Sequence, residues 1–130
     1  MEPSTGEVLR VVRQPYSFVL RRLGAQPRTV ACFDSSGMDF SGNRSVPWRA
    51  VREVRWMLDR PIRGYEHLDP FEVLAFFVHE DESPPPRRRD WLLRRFGTPF
   101  VLAGPMVTPS LGDIADFVAD ASGLVVVDRP

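Results

Sequence analysis

Apolar and polar positions alternate in short runs through the first half of the chain, and the runs lengthen and change period toward the end. Positions 7–13 and 16–23 are rich in valine, leucine and aromatics, with Pro15 between them. Charged residues interrupt both runs, which predicts two strands that each keep one face in water. Arg21, Arg22 and positions 24–27 close this part as a turn. Positions 29–33 (Thr-Val-Ala-Cys-Phe) then read as a strand, Asp34-Ser35-Ser36-Gly37 as a tight turn, and positions 38–40 as the returning strand. Aspartate and serine bond the turn backbone through their side chains, and Gly37 tolerates a positive φ. Gly42-Asn43 marks a further turn before positions 44–46.

Positions 47–58 fit two periods at once: Val51, Val54 and Leu58 suit a helical face, while Val54, Trp56 and Leu58 suit alternation. One helical turn over 47–51 followed by a strand over 53–59 satisfies both. Positions 71–79 are almost continuously apolar and carry Phe71, Phe76 and Phe77, and that length predicts a buried central strand rather than a helix. Glu80, Asp81 and Glu82 precede a triple proline at 84–86, which no regular element survives. Positions 87–96 (Arg-Arg-Arg-Asp-Trp-Leu-Leu-Arg-Arg-Phe) form either a short helix or an exposed loop, and positions 98–103 a final strand closed by Gly104-Pro105.

The clearest helix spans about 110–121. Ser110 is a good N-cap, and Asp113 stands in the capping-box position three residues on. Leu111, Ile114, Ala115, Phe117, Val118 and Ala121 give an apolar stripe, Asp113, Asp116 and Asp120 line the other side, and Gly123 suits the stop. Positions 124–127 dock as a last strand or lie against the core. Neither a repeat nor a boundary appears, so 1–130 reads as a single α+β domain with a Pro/Arg-rich insertion or loop at about 83–96.

The chain has 43% apolar and 26% charged residues, an ordinary globular balance. Its 17 basic and 17 acidic residues cancel, which argues against a dedicated nucleic-acid binder. Every basic residue is arginine; codon bias in a GC-rich genome explains this, and selection for bidentate anion contacts is the functional alternative. A single cysteine, Cys32, rules out an internal disulfide and fits a reducing compartment. Positions 1–7 lack a signal-peptide layout, and the longest uncharged apolar run, 73–78, falls far short of the ~20 residues a bilayer span needs. These features predict a soluble, cytoplasmic protein.

The order of elements, with Ser45-Val46-Pro47-Trp48-Arg49-Ala50-Val51 at a strand end, resembles the bacterial pleckstrin-homology-like (PH-like) domains. In that group a strand commonly ends in a proline-tryptophan step with a β-branched residue three positions later, here Pro47, Trp48 and Val51. Gly97-Thr98-Pro99-Phe100-Val101-Leu102 and Thr108-Pro109-Ser110-Leu111 look like its closing passage, so the resemblance covers about 29–121. It implies a curved, partly open antiparallel β-barrel with the C-terminal amphipathic helix plugging one end. It implies a binding platform and no reaction.

Candidate chemistry is sparse. His67, His79 and Cys32 show no recognised metal-ligand spacing, and both histidines read as exposed loop or strand ends. Cys32 shares a face with Val30, opposite Ala31 and Phe33, and reads as a small packing residue rather than a nucleophile. Phosphate-binding glycine loops and nucleophile elbows are absent, and Glu80, Asp81 and Glu82 look like a solvated loop. The expectation is a non-catalytic protein without metal or cofactor. Trp48 and Trp56 are assigned to the core or its rim. The one cluster that suggests binding is Arg87, Arg88, Arg89, Trp91, Arg94 and Arg95, where bases interleave with aromatics. Such a segment grips an acidic partner, an anionic lipid surface or a phosphate backbone, or else it is a solvated loop whose arginines pair with Glu80–Glu82. The expected function is a PH-like adaptor that recruits a protein partner through this segment or an exposed strand edge; a homodimer would use the same edge. Peripheral binding of anionic lipid or nucleic acid is the alternative.

Overall fold

Alternation in the first half of the chain and the continuous apolar run in the second build two different sheets. The computed structural model describes residues 7–13, 22, 24, 27–41, 45–59, 71–79, 91–104 and 107–130. Strands β1 (Leu9–Arg13), β2 (Arg28–Phe33), β3 (Gly37–Phe40), β4 (Val46–Pro47) and β8 (Val107–Thr108) form an antiparallel sheet in the order β4-β3-β2-β1-β8. Strands β5 (Val51–Asp59), β6 (Phe71–Val78), β7 (Phe100–Ala103) and β9 (Val126–Val127) form the second, in the order β7-β6-β5-β9. Helix α1 (Trp91–Phe96) lies between β6 and β7 in the chain, and helix α2 (Leu111–Ser122) between β8 and β9.

The first sheet follows the alternation. Val11, Ala31 and Phe40 are cross-strand neighbours, as are Leu9, Phe33 and Met38, and these rows face the core. Arg10, Cys32 and Asp39 form the row between, on the outer face. Strand β6 obeys a different rule. Its consecutive residues Val73, Leu74, Ala75 and Phe76 are all at most 1% exposed, so both of its faces are covered. Leu74 and Phe76 look into the main core, while Val73 and Ala75 face the other way. Asp59 shares the side of Val73 and Ala75, and Arg95 of α1 reaches it there.

Five aromatic rings occupy the space between the sheets. Phe33 stacks on Trp48 at 6.1 Å and on Phe76 at 5.3 Å. Phe40 stands edge-on to Phe33, Phe76 and Phe100. Leu111, Ile114, Ala115 and Val118 of α2 belong to the same core. The helix begins and ends as its sequence dictates: Ser110 Oγ accepts the Asp113 amide at 3.3 Å, and Gly123 turns left-handed at φ 75° while its amide reaches the Ala119 carbonyl.

Several expectations change here. Among the described residues the antiparallel barrel implied by the resemblance is replaced by two sheets that do not close, and β9 pairs with β5 in parallel. Residues 48–50 supply one reason. They form a 3-10 turn in which the Val51 amide bonds the Trp48 carbonyl instead of a neighbouring strand, so the ladder stops between β4 and β5. The strand read over 98–103 begins at Phe100, and it is not the last, since β8 and β9 follow. Thr98, 2% exposed, uses its hydroxyl to reach the Phe76 carbonyl at 2.6 Å and so substitutes for a ladder bond. The strand read over 7–13 starts at Leu9. The readings over 16–23, 42–44 and 80–90 lie wholly or almost wholly outside the described residues. No helix among the described residues is long and apolar enough to cross a membrane.

Candidate protein-binding edge and groove

The arginine segment is only partly described. Arg87, Arg88 and Arg89 lie outside the described residues, and of Trp91 the structure describes the backbone, which opens α1. Arg94 and Arg95 occupy the last turn of this helix, where positive charge complements the exposed carbonyls. Arg94 is exposed. Arg95 is committed elsewhere: its Nε donates to Asp59 Oδ1 at 2.6 Å, and a second guanidinium nitrogen pairs with the same oxygen. Asp59 is 8% exposed, so this bond satisfies a buried carboxylate at the end of β5 and holds α1 in place. Arg95 is therefore a structural clamp, and the cationic patch expected from the sequence loses one of its members.

A concavity forms where the sequence showed only a turn. Cys32, Asp34, Ser36, Gly37, Met38, Asp39, Ser45, Val46 and Pro47 line a groove of about 300 Å³ beside β4, the strand at one edge of the first sheet. Asp34 fixes its wall. One carboxylate oxygen accepts the Ser36 amide at 2.8 Å, the Ser36 hydroxyl at 2.6 Å and the Gly37 amide at 3.0 Å. Trp48 locks the turn from the other side, its indole donating to the Asp34 carbonyl at 2.8 Å and its backbone amide to the Ser36 carbonyl at 3.2 Å. Asp39 stands exposed on the floor's outer row, directly across from Cys32. Cys32 is half-buried on this outer face, whereas Ala31 and Phe33 take the core.

The Ser36 hydroxyl, helped by the Ser36 and Gly37 amides and opposed by partial burial, holds the Asp34 carboxyl below its ordinary 3.8. A depressed carboxylate stabilises the fold above the unfolded value and ceases to do so as pH falls through the folded one. Asp34→Ala should therefore lose stability relative to the native chain at pH 7, and the gap should narrow below about pH 4. Asp34→Asn keeps the turn without the charge, and thermal melts across pH should bring it closest to the native chain at the acid end.

His79 is exposed just past β6, and His67 lies outside the described residues. Among the described residues no three His, Cys, Asp or Glu side chains are grouped to hold a metal ion. The groove escaped the sequence reading because its residues come from three strands and a turn; the visible signals were the Asp-Ser-Ser-Gly turn and the proline-tryptophan step. Comparison of the chain with protein-family models, curated proteins and solved structures gives no match.

Proposed function

We propose that this protein is a non-catalytic, PH-like binding module that recruits a protein partner along the β4 edge of its first sheet. The observation that carries the reading is the groove beside β4. An edge strand offers backbone acceptors, and donors except at Pro47, to an incoming chain, and an adjacent cleft receives its side chains. Among the described residues the groove lining includes two aspartates and no arginine, which favours a partner with a basic side chain at that point. The architecture supports the PH-like part. A meander of four strands passes into three more antiparallel strands and a capped helix, and the chain changes sheet three times, between β4 and β5, between β7 and β8 and, across α2, between β8 and β9.

The test compares capture of partner proteins from host lysate by the native chain, Asp39→Arg and Arg94→Glu. Asp39→Arg reverses charge at an exposed position of the groove, and Arg94→Glu does so on α1. A specific partner should be held by the native chain and by Arg94→Glu, and weakened at least about tenfold by Asp39→Arg. The opposite pattern would move the interface to the basic helix. Retention of only anionic lipid or nucleic acid, lost steeply as salt rises, would replace the adaptor reading with the electrostatic one.

A further inference from the structure

The register of the first sheet decides which side chains meet over the groove. Cys32 stands opposite Asp39. Asp34 closes the turn opposite Gly37, its amide on the Gly37 carbonyl at 3.1 Å. Asp34 and Asp39 are therefore diagonal cross-strand neighbours, roughly 7–8 Å apart. Gly37, which carries no side chain, lies between them in this grid, and all four residues line the groove.

Both carboxylates keep acceptor capacity. The three bonds to Asp34 all fall on Oδ1, and Oδ2 has no partner among the described residues. Asp39 is exposed and makes no ion pair or side-chain hydrogen bond among them. The cation in its row, Arg10, lies beyond Cys32 and turns to the Thr29 hydroxyl at 2.6 Å. Two negative charges thus border a groove of about 300 Å³ whose described lining holds no cation. The backbone of β4 adds little: Pro47 has no N–H, and the Trp48 amide is spent on the Ser36 carbonyl. Recognition at this edge falls to the side chain that enters the groove.

We infer that the groove selects an arginine in an extended segment of the partner protein, its guanidinium bridging Asp34 and Asp39. The inference rests on the β4 reading above and names the side chain that reading leaves open. A guanidinium is planar and carries donors on separate edges, so one group serves two carboxylates set apart. It is also weakly hydrated and packs flat against a wall such as the Pro47 ring. Lysine brings a compact, strongly hydrated point charge, which loses more water on entering and suits one carboxylate at a time. Asp39 is the residue that sets specificity, because Asp34 is already committed to holding the turn.

The test is an NMR titration of the isotope-labelled full chain with three blocked alanine peptides, carrying a central arginine, lysine or citrulline. The arginine peptide should shift the amides of Cys32, Gly37 and Asp39 saturably. The lysine peptide should bind at least about fivefold more weakly, and the neutral citrulline peptide should not bind. Asp39→Asn should weaken the arginine peptide at least about tenfold, while an unmoved Trp48 indole resonance shows the turn intact. Asp113→Asn, at an exposed carboxylate on α2, should change nothing. Equal affinity for arginine and lysine, or equal losses in Asp39→Asn and Asp113→Asn, would overturn the inference. The adaptor reading fails separately. A captured partner lost in Asp39→Arg, with no arginine preference in the titration, keeps that reading and sinks this one. Saturable, arginine-selective binding with no captured partner supports the guanidinium site and sinks the adaptor.

Discussion

Phe76→Ala should lower the stability of the chain by about 3–5 kcal/mol and its melting temperature by roughly 10–20 °C. Phe76 has no exposed surface and lies at the centre of the aromatic group, with Phe33 at 5.3 Å and Phe40 at 5.6 Å. Those two rings belong to the first sheet, so truncation opens a cavity at the junction of the sheets rather than at a rim. The neighbours cannot collapse into it easily. Phe33 is held between Phe76 and Trp48, and Trp48 is tied to the turn at Asp34. Phe76→Leu, which retains most of the volume, should cost markedly less. Denaturant titration of the three proteins checks the ranking; a loss below about 1 kcal/mol for Phe76→Ala would mean that the core is not organised around this ring.

Gly37→Ala should be the most damaging single methyl in the turn, at about 1–3 kcal/mol or somewhat more. Gly37 does not take the positive φ expected of its place in the turn; instead, a Cβ at this position would overlap the Val46 carbonyl oxygen and lie 2.8 Å from Pro47 Cα. These are backbone atoms of the neighbouring strand, and no rotamer change relieves them. The strands β3 and β4 must separate, and the Trp48 indole loses its place against the Asp34 carbonyl. The shift of that indole N–H resonance, alongside denaturant titration, reports the local event. Gly123→Ala provides the contrast: it meets no atom within 4 Å, and its φ of 75° alone should cost about 1 kcal/mol. If Gly37→Ala proves as mild as Gly123→Ala, the close approach of β3 to β4 is not a constraint on the fold.

Much of the local structure was legible because its signals are local. Ser110 and Gly123 bound a helix whose stripe is complete within one segment, and the 29–40 hairpin carries its own turn chemistry. The run over 71–79 announced burial on both faces because it lacks alternation. What could not be read depends on residues far apart in sequence. Arg95 looked like one of five free cations, but Asp59, 36 residues earlier, claims it. The turn at Trp48 was visible as a break in period, yet nothing local says that the chain changes sheet there. The candidate groove likewise needs Cys32, Asp39 and Pro47 to be brought side by side by strand pairing.

The pairing of Val54 with Val126 joins residues separated by more than half of the chain. Contacts so distant carry a large loop-closure penalty and form late, whereas the β2–β3–β4 meander closes over a few residues at a time. The last strand thus gives the molecule an order of assembly. In native-state hydrogen exchange, the amides of residues 126–127 should open at free energies well below those of β6, and α2 should be the next element to follow.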